Sequence, residues 1–237
     1  MADNNSPLFN WEEEELENPL GCTAYVFNSL TDEFTLRSSI ETANKEYEGC
    51  EFQSHIRSAV LLDGVTSICD HAFIYCHELK SVQIPKTVTS IGVKAFYYCH
   101  KLASIVIPGS VKEIGAEAFR YCYQLESITL PGGIETIGTS PFHSCAKLSK
   151  IRVAGEGEKL KVIDGIVFYK EMTRLIWCSN EKTGSYEIPP MVKTIDAYAF
   201  FLCKKMTSIT IPNSITEIPR SAFSGCTSLK TVVIPDS

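Results

Sequence analysis

Apolar and polar positions follow a repeating order along most of this chain, and one central copy shows it clearly. Residues 105–108 alternate buried-type and outward positions before a proline, which is typical of a short strand that the proline ends. Val111 and Ile114 then supply a second apolar contact, and the glycine after Ile114 permits a bend. Residues 118–122 read Ala-Phe-x-x-Cys, whose spacing predicts a short helical turn with the phenylalanine and cysteine on one side.

The unit recurs along the chain at a constant interval. Phe73, Phe96, Phe119 and Phe142 are each 23 residues apart, and the same step separates Phe200 from Phe223. A period of this length indicates a solenoid, in which each unit buries its apolar face by stacking on its neighbours. The sequence therefore predicts one elongated domain with eight parallel strands near residues 59–61, 82–84, 105–107, 128–130, 151–153, 186–188, 209–211 and 232–234.

One interval is longer than the rest and predicts an insert at about residues 154–185. Within it, residues 163–169 and 173–177 are rich in strand-forming side chains and are separated by a short polar stretch. Two such runs indicate a β-hairpin that either projects from the stack or is woven into it. Insertions in solenoids often lie on the binding face, so the insert is also a candidate binding element.

The two ends of the chain depart from the repeat. Residues 1–55 are interpreted as an N-terminal cap or extension, with a hairpin from residues 25–27 and 34–36 and a helix at residues 39–47. The repeat occupies residues 56–237 and stops just after a strand without a cap. An uncovered sheet edge is adhesive, which predicts either a longer natural chain or self-association through this edge.

Composition excludes several classes of protein. The net charge is −6, the pI is about 5.5 and no basic cluster stands out, so nucleic-acid binding is not expected. No apolar run approaches the roughly 18 residues that a membrane helix needs, so membrane insertion is not expected. The acidic start lacks the cationic and apolar regions of a secretion signal, which indicates a cytoplasmic protein if taken as written.

Six of the ten cysteines fall on one repeat position. A small, buried side chain explains such a column, and parallel stacking does not point the sulfurs at one another, so free thiols are expected there. The state of Cys22, Cys50, Cys69 and Cys178 is left open. Paired Cys-His steps at residues 76–77 and 99–100 could offer metal ligands, but adjacent residues point to opposite sides of an extended backbone. No catalytic residue, metal site or cofactor is predicted, and a redox- or metal-responsive role is the weakest alternative.

The unit Cys-x-x-Leu-x-x-Ile-x-Ile-Pro-x-x-Val-x-x-Ile-Gly-x-x-Ala-Phe resembles the BspA-like leucine-rich repeat family over about residues 58–237. The run Ile-Asp-Gly-Ile-Val-Phe-Tyr within the insert is similar to that family's usual interruption. The resemblance implies an α/β fold: a right-handed solenoid with a parallel β-sheet on the concave face and short helical turns or strands on the convex side. It also implies protein binding or adhesion, commonly at the surface of bacteria or parasitic protists, without catalytic residues.

The predicted function is non-enzymatic binding of a macromolecule, most simply a protein, through the concave face and the insert. An intracellular scaffold using the same surface is the first alternative. Lys150 and Arg152 interrupt two otherwise small and uncharged columns, and an arginine there is suited to recognition. Tyrosines such as Tyr98 and Tyr121 flank the turns on the convex side, where they either pack or contact a partner. The outward strand positions form the candidate binding surface: Ser81, Gln83, Ser104, Val106, Ser127, Thr129, Lys150, Arg152, Ser208 and Thr210.

Overall fold

The computed structural model describes residues 25–28, 33–36, 56–155, 159–169 and 171–235. These residues form eighteen strands, and none of them is helical. The strands are β1 Tyr25–Asn28, β2 Glu33–Leu36, β3 Ser58–Leu61, β4 Ser67–Ile68, β5 Ser81–Gln83, β6 Ser90–Ile91, β7 Ser104–Val106, β8 Glu113–Ile114, β9 Ser127–Pro131, β10 Thr136–Ile137, β11 Lys150–Ala154, β12 Leu160–Ile163, β13 Ile166–Tyr169, β14 Arg174–Cys178, β15 Gly184–Glu187, β16 Thr194–Ile195, β17 Met206–Thr210 and β18 Thr231–Val233.

Eight of these strands coincide with the predicted ones and stack in parallel. β3 pairs with β5, β9 lies between β7 and β11, and β17 lies between β15 and β18. Their register advances by one repeat, so that Ser104 lies opposite Ser127 and Ser127 opposite Lys150. The predicted parallel solenoid is therefore confirmed. We call the outward side of these eight strands the strand face.

A second parallel ladder consists of two-residue strands at the Val-x-x-Ile segment of each unit. β4, β6, β8 and β10 pair in order, and after the insert β16 pairs in parallel with β14, which is the last strand of the insert. The apolar residues of the segments in this ladder are buried; Val111 and Ile114, for example, are 0% and 2% exposed, whereas Ile218 of the last unit is 41% exposed. The resemblance implied either short helical turns or strands on the convex side, and this segment forms short strands.

The predicted helical turn at Ala-Phe-x-x-Cys is wrong, and with it the α/β class. The backbone N–H of Phe73 donates to Ala95 in the next coil at 2.7 Å, and that of Phe96 donates to Ala118 at 2.8 Å. These donors bond between coils, whereas a helix would bond them within its own segment. Two residues in each turn also have positive φ, for example 53° at Lys94 and 63° at Tyr98, which a right-handed helix excludes. The spacing of three residues between the phenylalanine and the cysteine therefore belongs to a stacked turn and not to a helix.

The core contains the phenylalanine rings and the cysteine side chains of successive repeats. Phe73, Phe96, Phe119 and Phe142 stack face to face with centroids 5.2, 5.4 and 5.8 Å apart, and all four belong to one buried cluster. A second cluster begins within the insert and continues through Phe200 and Ile209. Stacking of consecutive phenylalanines in a shared core is the arrangement that the repeat predicts.

The insert is woven into the stack. β12, β13 and β14 form an antiparallel meander that includes the two predicted runs and adds β12. All four residues of β13 are buried: Val167 and Tyr169 pack in the first core cluster, and Ile166 and Phe168 pack in the second. The hairpin therefore packs against both core clusters, one on each of its faces.

The N-terminal segment is described only at its two strands. β1 and β2 pair antiparallel, and β2 pairs parallel with β3, which extends the first group of strands. The helix predicted at residues 39–47 lies outside the described residues.

Candidate interaction surface

The strand face carries the predicted outward residues in two rows. Ser104, Ser127 and Lys150 occupy one row, and Val106, Thr129 and Arg152 occupy the next, because each trio is aligned by the register of β7, β9 and β11. Ser81 and Gln83 align with β3, while Ser208 and Thr210 align with β15 and β18. The predicted site residues therefore fall into three groups of paired strands.

Exposure varies along these rows. Ser81, Gln83, Ser104, Lys150 and Arg152 are exposed, whereas Ser127, Thr129, Ser208 and Thr210 are half-buried. Val106 is 73% exposed, the largest exposure among the described large apolar side chains. Burying one such side chain against a partner stabilises the complex by roughly 1.5 kcal/mol or more.

Lys150 and Arg152 are the charged residues of this face next to the insert. Neither side chain forms an ion pair or hydrogen bond with another described residue, although residues 156–158 nearby are not described. Arg152 lies two strands from the exposed Val106, with Thr129 between them, so this row combines a planar donor with apolar surface, which suits protein recognition.

The insert contributes less surface than its sequence predicts. Its hairpin is internal, and its exposed apolar residues are Val162 and Ile163 at 37% and 46%. At the β12–β13 turn, Lys182 forms an ion pair with Asp164 and lies 5.0 Å from the ring centre of Tyr186. The parts of the insert that a partner could reach include the outer edge of β12, this turn and exposed polar residues such as Glu171 and Thr183.

The opposite side of the coils carries rings that the sequence only partly indicates. Tyr75, Tyr98 and Tyr121 form one column, and His77, His100 and Tyr123 form a second. The histidines were considered above as metal ligands, yet His77 and His100 stack on each other at 4.6 Å while Cys76 and Cys99 are buried. Burial and the neighbouring His77 lower the pKa of His100.

A buried ion pair joins the coils on either side of the insert. Arg174 binds both carboxylate oxygens of Asp196 at 2.7 Å and donates to the carbonyls of Ile137 and Gly138 at 2.9 and 2.8 Å. Asp196 also accepts a hydrogen bond from the backbone N–H of Ser140 at 2.9 Å. Sequence reasoning missed this joint. The available signal was that Asp196 stands where other repeats have glycine, directly after the isoleucine of the second ladder.

Candidate metal ligands are not clustered in the described part of the chain. No group of three or more His, Cys, Asp or Glu lies close enough to hold a metal ion among residues 56–155, 159–169 and 171–235 or in β1 and β2. His143 is 5% exposed, with Nε2 3.5 Å from Ser144 Oγ and with Nδ1 lacking a hydrogen-bond partner in the described part of the chain. Its pKa is lowered to about 4 by burial and by Arg120 and Arg220.

Six of the eight described cysteines are buried, and Cys69 and Cys226 are half-buried. All eight described cysteines are free thiols, and burial raises the pKa of Cys76 to about 12. A protonated, buried thiol is a poor nucleophile and a poor metal ligand, which argues against the redox-responsive alternative. Within the described residues, no helix occurs that is long and apolar enough to cross a membrane.

The stacked coils, two parallel ladders and repeated outward columns define a β-solenoid of leucine-rich repeat type. The chain belongs to the family of the BspA type leucine-rich repeat region, whose profile matches residues 41–174 and 177–237 in six copies. The expected family is thereby confirmed. No curated protein matches the chain.

Solved structures with the same fold come from bacteria. A leucine-rich repeat protein from Eubacterium ventriosum is 23% identical, with a TM-score of 0.65 over 88% of this chain and 69% of that one. A leucine-rich repeat protein from Bacteroides ovatus is 21% identical, with a TM-score of 0.52 over 88% and 68% of the two chains. The pneumococcal vaccine antigen PcpA is 23% identical, with a TM-score of 0.61. The match covers 76% of this chain and 51% of PcpA, so the chain spans about half the length of that antigen.

Proposed function

We propose that this protein is a non-enzymatic binding module whose partner is another protein. The binding surface is the strand face around Val106, Lys150 and Arg152, extended by the exposed edge of β12. The observation that carries the proposal is the exposure of Val106 in the same row as Arg152, because isolated apolar side chains on an otherwise small and polar sheet offer an anchor for a partner. The small hydroxyl side chains beside it leave room for close approach.

Adhesion at a cell surface is the role that the neighbours favour. One of the similar structures is described as a pneumococcal vaccine antigen, and family resemblance points to surface proteins. An intracellular scaffold would use the same strand face with a different partner. Proteolysis of intact cells separates the two roles: a surface adhesin is digested by added protease, whereas a scaffold is digested only after lysis.

The strand face is tested with a charge-reversal variant, Lys150→Glu with Arg152→Glu. We expect this variant to lose the proteins that wild type retains in crosslinking pull-downs from cell extract and from extracellular matrix. The matched control is Lys86→Glu with Lys193→Glu, which makes the same charge change at exposed positions outside the strand face. An unchanged set of partners for the strand-face variant, or equal loss for both variants, would contradict the proposal.

A further inference from the structure

A second surface lies on the turns and is built from stacked rings. We name as the aromatic strip the seven residues Tyr75, His77, Tyr97, Tyr98, His100, Tyr121 and Tyr123. In one column the ring centres of Tyr75, Tyr98 and Tyr121 are 5.4 and 4.3 Å apart. In the other, those of His77, His100 and Tyr123 are 4.6 and 4.8 Å apart. All seven side chains are half-buried or exposed, so their outer edges remain open to a partner.

The tyrosines of the first column occupy a backbone conformation that favours glycine. The φ angles of Tyr75, Tyr98 and Tyr121 are 60°, 63° and 63°, and the equivalent residue of the last repeat is Gly225 with φ of 77°. Holding a bulky residue there costs about 1 kcal/mol or more per position. Ring stacking offsets part of this cost. Glycine would meet the backbone requirement more easily, so the choice of tyrosine at three successive coils points to use of the ring itself.

The turns are also positively charged, although the whole chain has a net charge of −6. The turn face comprises residues 71–78, 94–101, 117–124, 140–147, 198–205 and 221–228. It carries six cationic side chains, Lys94, Lys101, Arg120, Lys147, Lys204 and Lys205, against two glutamates, Glu78 and Glu117. Four of the cations form exposed or half-buried ion pairs, Lys94 and Arg120 with Glu117, Lys101 with Glu78, and Lys205 with Glu181, whereas Lys147 and Lys204 form none with a described residue. Arg120 lies 4.7 Å from the ring centre of Tyr121, and Lys94 lies 5.3 Å from that of Tyr97, which joins the cations to the aromatic strip.

From this combination we propose that the turn face binds an acidic, extended segment of a partner protein. Carboxylates of the segment pair with Lys147 and Lys204 and compete with Glu78 for Lys101, while its apolar side chains pack on the edges of the tyrosine rings. Tyrosine supplies large, rigid contact area at low entropic cost, and tyrosine and arginine are enriched where binding energy concentrates. This surface is separate from the strand face, so it does not rest on the function proposed above.

The test uses the full chain and a fluorescently labelled peptide of alternating glutamate and leucine, with a glutamine-for-glutamate peptide as the neutral probe. Binding is followed by fluorescence anisotropy at low ionic strength, where exposed charges interact over longer distances. The turn-face variant is Lys101→Gln with Lys147→Gln. Its control, Lys86→Gln with Lys193→Gln, removes the same charge from exposed residues that lie outside both the turn face and the strand face. A third variant, Tyr98→Gly with Tyr121→Gly, removes two rings while suiting the positive φ at those positions.

We expect the acidic peptide to bind wild type and the Lys86→Gln, Lys193→Gln control alike, and the neutral peptide not to bind. Affinity should fall about tenfold in both turn-face variants, because each variant loses two of the contacts that hold the peptide. No binding of the acidic peptide, or equal weakening by the two charge-removing variants, would overturn the proposal. So would normal binding by the folded tyrosine variant, or displacement of the peptide by heparin or poly-uridine at far lower concentration than by unlabelled peptide.

Discussion

The repeat cysteine donates a hydrogen bond as well as filling space. The Sγ atoms of Cys99, Cys122 and Cys145 lie 3.2, 3.2 and 3.0 Å from the phenylalanine carbonyl of the preceding coil. A weak S–H donor satisfies a buried acceptor at this point, and an alanine would fill less volume and leave the carbonyl without that donor. The column therefore has a structural explanation that requires no redox chemistry.

Thiol accessibility gives the first residue-scale prediction. At pH 8 we expect Cys76, Cys99 and Cys122 to react with iodoacetamide only slowly in the native protein, because burial raises the pKa of each thiol. Cys69 is half-buried and should react before them. Peptide mapping by mass spectrometry before and after unfolding in urea measures both. Rapid native labelling of Cys99 would revive the redox-responsive role.

His143 predicts how stability depends on pH. Its pKa is lowered to about 4 in the folded chain, from an ordinary value of 6.5, so folding favours the neutral ring. This stabilisation is complete above pH 6.5 and is lost as pH falls towards 4. Relative to His143→Phe, wild type should lose about 2 kcal/mol of unfolding free energy between pH 7.5 and pH 4.5. Parallel urea titrations of both proteins at the two pH values test this, and an equal loss in both would contradict it.

At the scale of the element, a column of glycines sets how closely neighbouring coils approach in the second ladder. A Cβ atom on Gly115 would lie 2.4 Å from backbone atoms of Gly92 and Val93, and one on Gly138 would lie 2.2 Å from the backbone of Ala116. Backbone atoms cannot move aside as a side-chain tip can. Close approach, and not only bending, is therefore what this position requires.

Substitution in the glycine column provides the element-scale prediction. We expect Gly115→Ala to destabilise the protein by about 3 kcal/mol or more, because the added methyl group forces two coils apart. Gly109→Ala is the control: nothing lies within 4 Å of its added Cβ, and the expected change is within about 1 kcal/mol, with stabilisation favoured. Chemical denaturation compares the two. Similar stability for both variants would show that the coils can separate without cost.

The sequence predicts some elements of this fold and not others. The parallel strands could be predicted because residues 105–107 and their equivalents alternate between buried and outward positions, which is typical of a strand with one buried face. The constant repeat length indicates that these strands stack on one another. The turns were not, because i, i+3 spacing fits a helix as well as a stacked turn, and only pairing between coils distinguishes them. Burial of the insert on both faces could not be predicted either, because it depends on contacts with the core clusters before and after the insert. The strand-face residues were placed outward correctly in alternation, but their half-buried members, such as Thr129, were not foreseen.

At the scale of the whole molecule, the two core clusters are held together by the shared hairpin and by the pair of Arg174 and Asp196. Asp196 is 7% exposed, and its carboxylate receives donors from both sides of the insert. A charge so buried is tolerated only while it is paired and hydrogen-bonded. The joint is therefore expected to couple the stabilities of the two halves.

Removing Arg174 tests this coupling. Arg174→Met should destabilise the chain by about 3 kcal/mol, because a buried carboxylate loses its cation and two carbonyls lose their donor. Lys101→Met, which breaks the surface pair with Glu78, should leave the free energy of unfolding nearly unchanged, because solvent screens an exposed pair. Denaturation gives both values, and amide hydrogen exchange should show lower protection in both core clusters for Arg174→Met. An effect confined to one cluster would rule out the coupling.

The one-repeat register between coils has an evolutionary consequence. Since each outward column gains one side chain for every unit added, an internal duplication within residues 79–147 would lengthen every column together by about 4.8 Å. The inward spine would simply acquire another ring and sulfur. Lineages could thus adjust the reach of this protein towards a larger or smaller target by copying or losing whole units, with little need to redesign any of them.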